Sequence, residues 1–286
     1  MAGAGTKWLI GCGIGCGAIV LVLAGLGVFG ALFVRDTLEG FDHAVQAHEE
    51  LDQRFGGVDQ FTPWPDGAIP ATRVEAFLDV RASTAEARRQ LAVKLSAIPL
   101  SESEARDLEA KPAGEKALSI FKIIRSAFGL GAELGGFFDA RNAALLEQGM
   151  GMGEYTYLYA LLYYAFLGGS PDDGPASDRD EEDRVEVSFS SVTSSRRVHD
   201  SLLSMLRNQL QGLPPDAAAS QRQALAREIE ALERDRRRYP WTDGLPPATA
   251  ASLEPFRERL LATYDPVSNP FELAITTRKG FSVTAE

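Results

Sequence analysis

The chain has 286 residues, with 29 Lys and Arg against 40 Asp and Glu and a formal charge of −11, a balance that argues against nucleic acid or an anionic lipid face as partner. Hydrophobic residues make up 45% of it, enough for a real core. Both cysteines, Cys12 and Cys16, fall before residue 36, so the bulk of the chain carries neither a disulfide nor thiol chemistry.

Residues 8–34 are uncharged and are bracketed by Lys7 and Arg35. As a helix rising about 1.5 Å per residue, the run crosses a hydrocarbon core of about 30 Å with length to spare for tilt. It stays apolar to Val34 and then meets Arg35-Asp36-Thr37-Leu38-Glu39, not a small-residue cleavage site, which predicts an uncleaved signal-anchor. Leu9-Ile10-Gly11-Cys12 looks like the lipobox of bacterial lipoproteins. The apolar stretch must precede a lipidated cysteine, however, and here it follows. Gly11, Gly13, Gly15 and Gly17 form two overlapping Gly-x-x-x-Gly pairs, a face on which a second helix, including that of a second copy, can approach closely in lipid. Lys7 and the N-terminal amine lie on one side, whereas Arg35 sits among Asp36, Glu39 and Asp42. That asymmetry predicts a cytoplasmic N-terminus and an extracytoplasmic body. With an Ala-, Gly- and Arg-rich composition, it suggests a single-pass protein of a bacterial inner membrane.

Leu38, Phe41, Val45, His48 and Phe55 recur at helical spacing and predict an amphipathic stalk over 36–56. Residues 56–70 read as a loop. Thr72-Arg73-Val74-Glu75 has capping-box spacing and opens a helix expected to run to about Ala97. Ser101-Glu102-Ser103-Glu104 repeats the signal, and Ile120, Phe121, Ile124 and Phe128 form a core-facing stripe. A helix after Gly135-Gly136 carries Phe137, Phe138, Leu145 and Leu146, and the glycines of 149–153 break it. Residues 154–167 hold five tyrosines and are too short to span a membrane, so a buried central helix is expected.

An acidic linker over 170–184 divides a first helical region, 57–169, from a second, 185–286. Val185, Val187 and Phe189 alternate with polar residues as a short strand would. Val198, Leu202, Met205, Leu206, Leu210 and Leu213 form one helical stripe, and Leu225, Ile229 and Leu232 the next, together an antiparallel hairpin. Leu253, Phe256, Leu260 and Tyr264 mark another helix. Asn269, Pro270 and Glu272 have the order of N-cap, first-turn proline and capping glutamate of a short last one. The fold class is therefore all-α: an N-terminal transmembrane helix and a bundle-like body with at most one short strand pair.

Residues 63–72 and 240–249 match at seven of ten positions, sharing Pro-Trp-x-Asp-Gly and Pro-Ala-Thr. Turn chemistry accounts for most of the match, with Asp-Gly turning the chain and threonine capping the next helix. The tryptophans are left over, and Trp64, Asp66, Trp241 and Asp243 are candidates for a paired recognition surface. Tyr155, Tyr159 and Tyr163 share a helix face and are candidates to line a ligand pocket, against the plainer reading as core. His43, His48 and His199 match no metal spacing, and neither a serine elbow nor a phosphate loop occurs. No catalytic residue, metal or cofactor is nominated. The sequence points to an anchored structural, adaptor or assembly protein acting through a protein partner or a second copy. The alternative is a tethered ligand-binding module or enzyme with its pocket at the tyrosines.

Overall fold

The computed structural model describes residues 42–96, 133–170 and 191–274. The anchor with its glycine face, the beginning of the stalk, the helices expected between 101 and 128, nearly all of the acidic linker and the strand at 185–190 lie outside the described residues. Among the described residues there is no strand, and no helix is long and apolar enough to cross a membrane.

Helix α1 spans 42–55. Its inward face is Ala44, His48 and Leu51, spaced four and three residues apart, whereas Val45 is half-buried and Phe55 is 39% exposed. The stripe expected for a stalk is thus rotated, because the helix packs on the body instead of standing clear of it. Gly56, at φ +82, turns the chain into a 3-10 turn at Val58–Gln60. That turn lies against Gly153, where a Cβ would come within 2.5 Å of the Val58 carbonyl oxygen. Only a glycine lets the two backbones approach so closely.

The single helix expected from residue 72 is two, α2 (Ala71–Ser83) and α3 (Ala85–Ser96). Thr84 separates them, its hydroxyl bonding back to the Val80 carbonyl at 2.8 Å, a competition with the backbone that bends helices. The capping box does not form. The N-cap is Pro70, and Glu75 instead reaches Arg259 at 2.7 Å. Helix α4 (133–147) starts ahead of Gly135-Gly136 and so contains them. A turn at Gly149, φ +58, leads into α5 (Met152–Tyr159), which continues as a π-helical turn over Ala160–Phe166. Every residue from Gly151 to Tyr164 is buried, and the charged residue among them, Glu154, pairs with Arg73 at 2.6 Å, as a buried carboxylate requires.

Helices α6 (Ser191–Gln211) and α7 (Ala219–Arg234) pack side by side. The His199 ring near the start of one meets the Leu232 carbonyl near the end of the other at 3.1 Å, as antiparallel neighbours do. The chain then passes through α8 (Pro247–Leu253), a 3-10 turn at Glu254–Phe256, α9 (Arg257–Thr263), a second 3-10 turn at Pro266–Ser268 and α10 (Asn269–Glu272). One hydrophobic core joins residues on both sides of the acidic linker, with Phe77, Leu145, Tyr159, Leu206, Leu232 and Leu260 all buried in it. A smaller cluster joins Ala44, Leu91, Leu134, Phe137, Phe138 and Phe271.

Candidate functional site

Tyr155, Tyr159 and Tyr163 do share one face of α5, and that face is filled by protein. Each is 0% exposed, and each ring contacts Phe77 of α2, with centroids 5.4, 6.4 and 5.6 Å away. The hydroxyls of Tyr155 and Tyr163 meet an ion pair that the linear sequence did not nominate, Arg81 of α2 with Glu272 of α10, both wholly buried. Arg81 also donates to the Tyr163 hydroxyl at 3.1 Å and the Thr263 carbonyl at 2.9 Å, and its guanidinium lies 5.3 Å from the Tyr159 ring centre. Glu272 accepts from Tyr155 at 2.7 Å and Ser268 at 2.8 Å. Tyr159 donates to the Asn269 side chain at 2.5 Å. Arg141 of α4 closes the far side, donating to the Glu272 carbonyl at 2.7 Å and to Asn142, which in turn donates to the Ala44 carbonyl at 2.9 Å.

The residues expected to cap the last helix therefore do other work. Ser268 is the N-cap, Asn269 serves Tyr159, and Glu272 is drawn inward to Arg81. One signal in the sequence marks the arginine: Arg81 stands on the buried stripe of α2, four residues after Phe77 and seven after Val74. A cation on an apolar face calls for a buried counter-charge.

The electrostatics follow from this packing. Burial works to raise the Glu272 carboxyl, but Arg81, Arg88 and the Tyr155 hydrogen bond outweigh it and hold it below the usual carboxylate range. Burial pushes the phenols of Tyr155, Tyr157, Tyr159, Tyr163 and Tyr164 upward. At neutral pH the carboxylate is ionised and accepts from Arg81, Tyr155 and Ser268 while the phenols stay protonated, which makes a clamp between α2, α5 and α10. Comparison with family models, with curated proteins and with solved structures found no match to this chain.

The two Pro-Trp-x-Asp-Gly segments form the same turn, in which Gly67 N–H donates to the Trp64 carbonyl and Gly244 N–H to the Trp241 carbonyl, each at 3.0 Å. The fold brings the first turn against α8, the helix that follows the second turn. Thr249 donates to the Gly67 carbonyl at 2.7 Å, and Ile69 N–H donates to Ser252 at 3.1 Å. Threonine caps neither following helix: the N-caps are Pro70 and Pro246, and Thr249 serves as a clasp between α8 and the first turn. Beyond the repeat, a two-residue shift in register matches Val74 with Leu253 and Phe77 with Phe256, and all four are buried.

Trp64 is half-buried against Phe61, with ring centroids 5.7 Å apart, and its carbonyl also accepts from Gln209 at 2.7 Å. Trp241 is 8% exposed, its side chain beside that of Tyr157. It holds φ +63, a left-handed conformation costly for a bulky residue, with its N–H given to Glu228 at 2.8 Å. Asp66 turns back to accept from Ala68 N–H at 3.1 Å, and Asp243, 84% exposed, pairs with Arg238 at 2.9 Å. Both aspartates face solvent.

Of the histidines, His43 is exposed and His48 is buried, its ring pushed toward the neutral form by burial first, with Arg141 adding to the effect and Asp52 opposing it. No cluster of three or more metal-ligating side chains occurs among the described residues. A cleft of about 350 Å³ opens where α2 meets α3 against the end of α9, with Arg81, Arg88, Arg89, Thr263, Tyr264 and Asp265 on its walls.

Proposed function

We propose that this chain is a membrane-tethered helical adaptor of the bacterial cell envelope, held in the inner membrane by residues 8–34 and engaging a protein partner through its two tryptophan turns. The observation that carries this reading is the clamp. The polar groups a pocket at the tyrosines would use are bonded to one another, while Asp66 and Asp243 face solvent at the two turns, where a partner can meet them. The uncharged run bracketed by Lys7 and Arg35 supports the tether and the outward-facing body. Gly11, Gly13, Gly15 and Gly17 support pairing of that helix with a second one.

Photo-cross-linking in native membranes tests this directly. A photoreactive residue at position 66 or 243 should capture a discrete partner that the same probe at Arg234, exposed on α7, does not, and a C-terminal topology reporter should be active outside the cytoplasm. Equal capture at all three positions refutes docking at the turns. Reporter activity confined to the cytoplasm refutes the topology.

A further inference from the structure

Three guanidiniums gather at the base of the clamp: Arg81 and Arg141, both 0% exposed, and Arg88, 5% exposed. Among the described residues the carboxylates that face them are Glu272, wholly buried, and Asp265, whose side chain is 30% exposed. Three positive groups meet two negative ones, and one of the two stands at the rim. A buried cation lacking a close counter-charge is costly, so the site has a standing attraction for an anion.

Arg88 is where that attraction is directed. Arg81 is bonded to Glu272, Tyr163 and the Thr263 carbonyl, and Arg141 spends its donors on Asn142 and on backbone carbonyls. Arg88 has five N–H donors and gives one to Thr84 at 2.7 Å and one to the Arg81 carbonyl at 2.6 Å. Its carboxylate neighbours, Asp265 at 3.9 Å and Glu272 at 4.0 Å, are beyond hydrogen-bond reach. Burial first, and then the adjacent Arg81, hold this guanidinium below its ordinary range, consistent with surplus positive potential. The same side chain lines the 350 Å³ cleft, where Ala82, Ala85 and Ala262 supply small apolar walls and Arg89, its side chain 73% exposed, stands at the opening.

We propose that this cleft binds a small oxyanion, a carboxylate or phosphate group on a compact apolar body, through the unused donors of Arg88. The planar guanidinium fork suits two-point contact with such a group, and the alanine walls leave room for a short apolar body. Asp265 is the built-in competitor: it is a partly exposed carboxylate 3.9 Å from Arg88 and weakens the pull on an incoming anion. This inference does not depend on the adaptor reading.

The test is calorimetric titration and thermal unfolding of the full chain in uncharged detergent, with sodium phosphate, sodium acetate and sodium chloride at matched ionic strength. Phosphate or acetate should give a saturable heat and a raised unfolding temperature that chloride does not give, and the anion that responds identifies the group bound. Arg88→Gln should weaken binding about tenfold or more, the equivalent of one charge-assisted hydrogen bond. Asp265→Asn keeps an oxygen for the Val267 N–H, which Asp265 now accepts at 3.1 Å, and should tighten binding. Should Arg88→Gln fail to fold, Asp265→Asn decides alone. No saturable response to either anion, full binding by Arg88→Gln, or unchanged or weaker binding by Asp265→Asn overturns the proposal.

Discussion

Glu272→Gln is the sharpest perturbation of this fold, because it removes a charge while nearly preserving shape. The wild-type carboxylate is 0% exposed, pairs with Arg81, accepts from Tyr155 at 2.7 Å and Ser268 at 2.8 Å, and lies 4.0 Å from Arg88. Glutamine replaces one acceptor oxygen with an NH₂ donor, which either confronts Arg81 or forces the Tyr155 hydroxyl to turn from donating to accepting. It also leaves Arg81 buried beside no negative charge. Breaking a buried pair on one side costs about 3–5 kcal/mol, a third or more of a typical domain's stability. The melting temperature should fall by about 6–20 °C, at the few degrees per kcal/mol usual for a body of this size. Urea unfolding of the full chain in detergent micelles, followed by tryptophan fluorescence and far-ultraviolet circular dichroism, measures the loss. A decrease below about 1 kcal/mol, no more than an exposed ion pair contributes, would refute the clamp. The same variant has a pH signature. The folded pKa of Glu272 lies below its unfolded value, so its stabilisation is complete above the unfolded value, about 4.3, and disappears as pH falls through the folded value. Glu272→Gln should flatten that acid limb.

Gly153→Ala should cost about 1–3 kcal/mol in the same urea assay, because its Cβ would stand 2.5 Å from the Val58 carbonyl oxygen and 2.8 Å from the Phe61 Cβ. A neutral result would mean that the 3-10 turn does not rest on α5. Alkaline titration should unfold the body cooperatively: the five buried phenols have folded pKa values above the unfolded value of about 10, so their stabilisation is present below that pH and lost above it. Tyrosinate absorbance rising gradually while circular dichroism stays native would contradict this. Asp243→Asn, at an 84% exposed side chain, should change stability by less than about 1 kcal/mol despite the Arg238 pair. Glu228→Gln should cost more, about 1–3 kcal/mol, because the 7% exposed carboxylate holds both Arg238 and the Trp241 N–H. Equal effects of these two substitutions would refute the difference in burial.

Much of the helical plan is readable in the linear order of residues. The stripes of Val198, Leu202, Met205 and Leu206 and of Leu225, Ile229 and Leu232 are buried faces of α6 and α7, and the glycines of 149–153 do end one helix before the tyrosine-rich one. Local signals misled where a tertiary partner competed for the same atoms. Thr72 and Glu75 have the spacing of a capping box, yet Glu75 finds Arg259. Thr249 has the place of a cap, yet clasps Gly67. On α1, Val45 and Phe55 recur at helical spacing, yet the body covers Ala44, His48 and Leu51, since which side of a short amphipathic helix is buried depends on what it meets.

Residue order alone establishes the all-α class of the described residues and which faces of most helices are apolar, because a period of 3.6 residues is a property of neighbours along the chain. It also holds the apolar run that motivates the membrane proposal. The fate of the polar residues, by contrast, was set in three dimensions. Arg81 and Glu272 are 191 positions apart, and nothing around Glu272, between Phe271 and Leu273, distinguishes a helix cap from half of a buried ion pair. Charge pairing in a core is set by which helices pack together, and a residue's own neighbours in sequence carry no record of that.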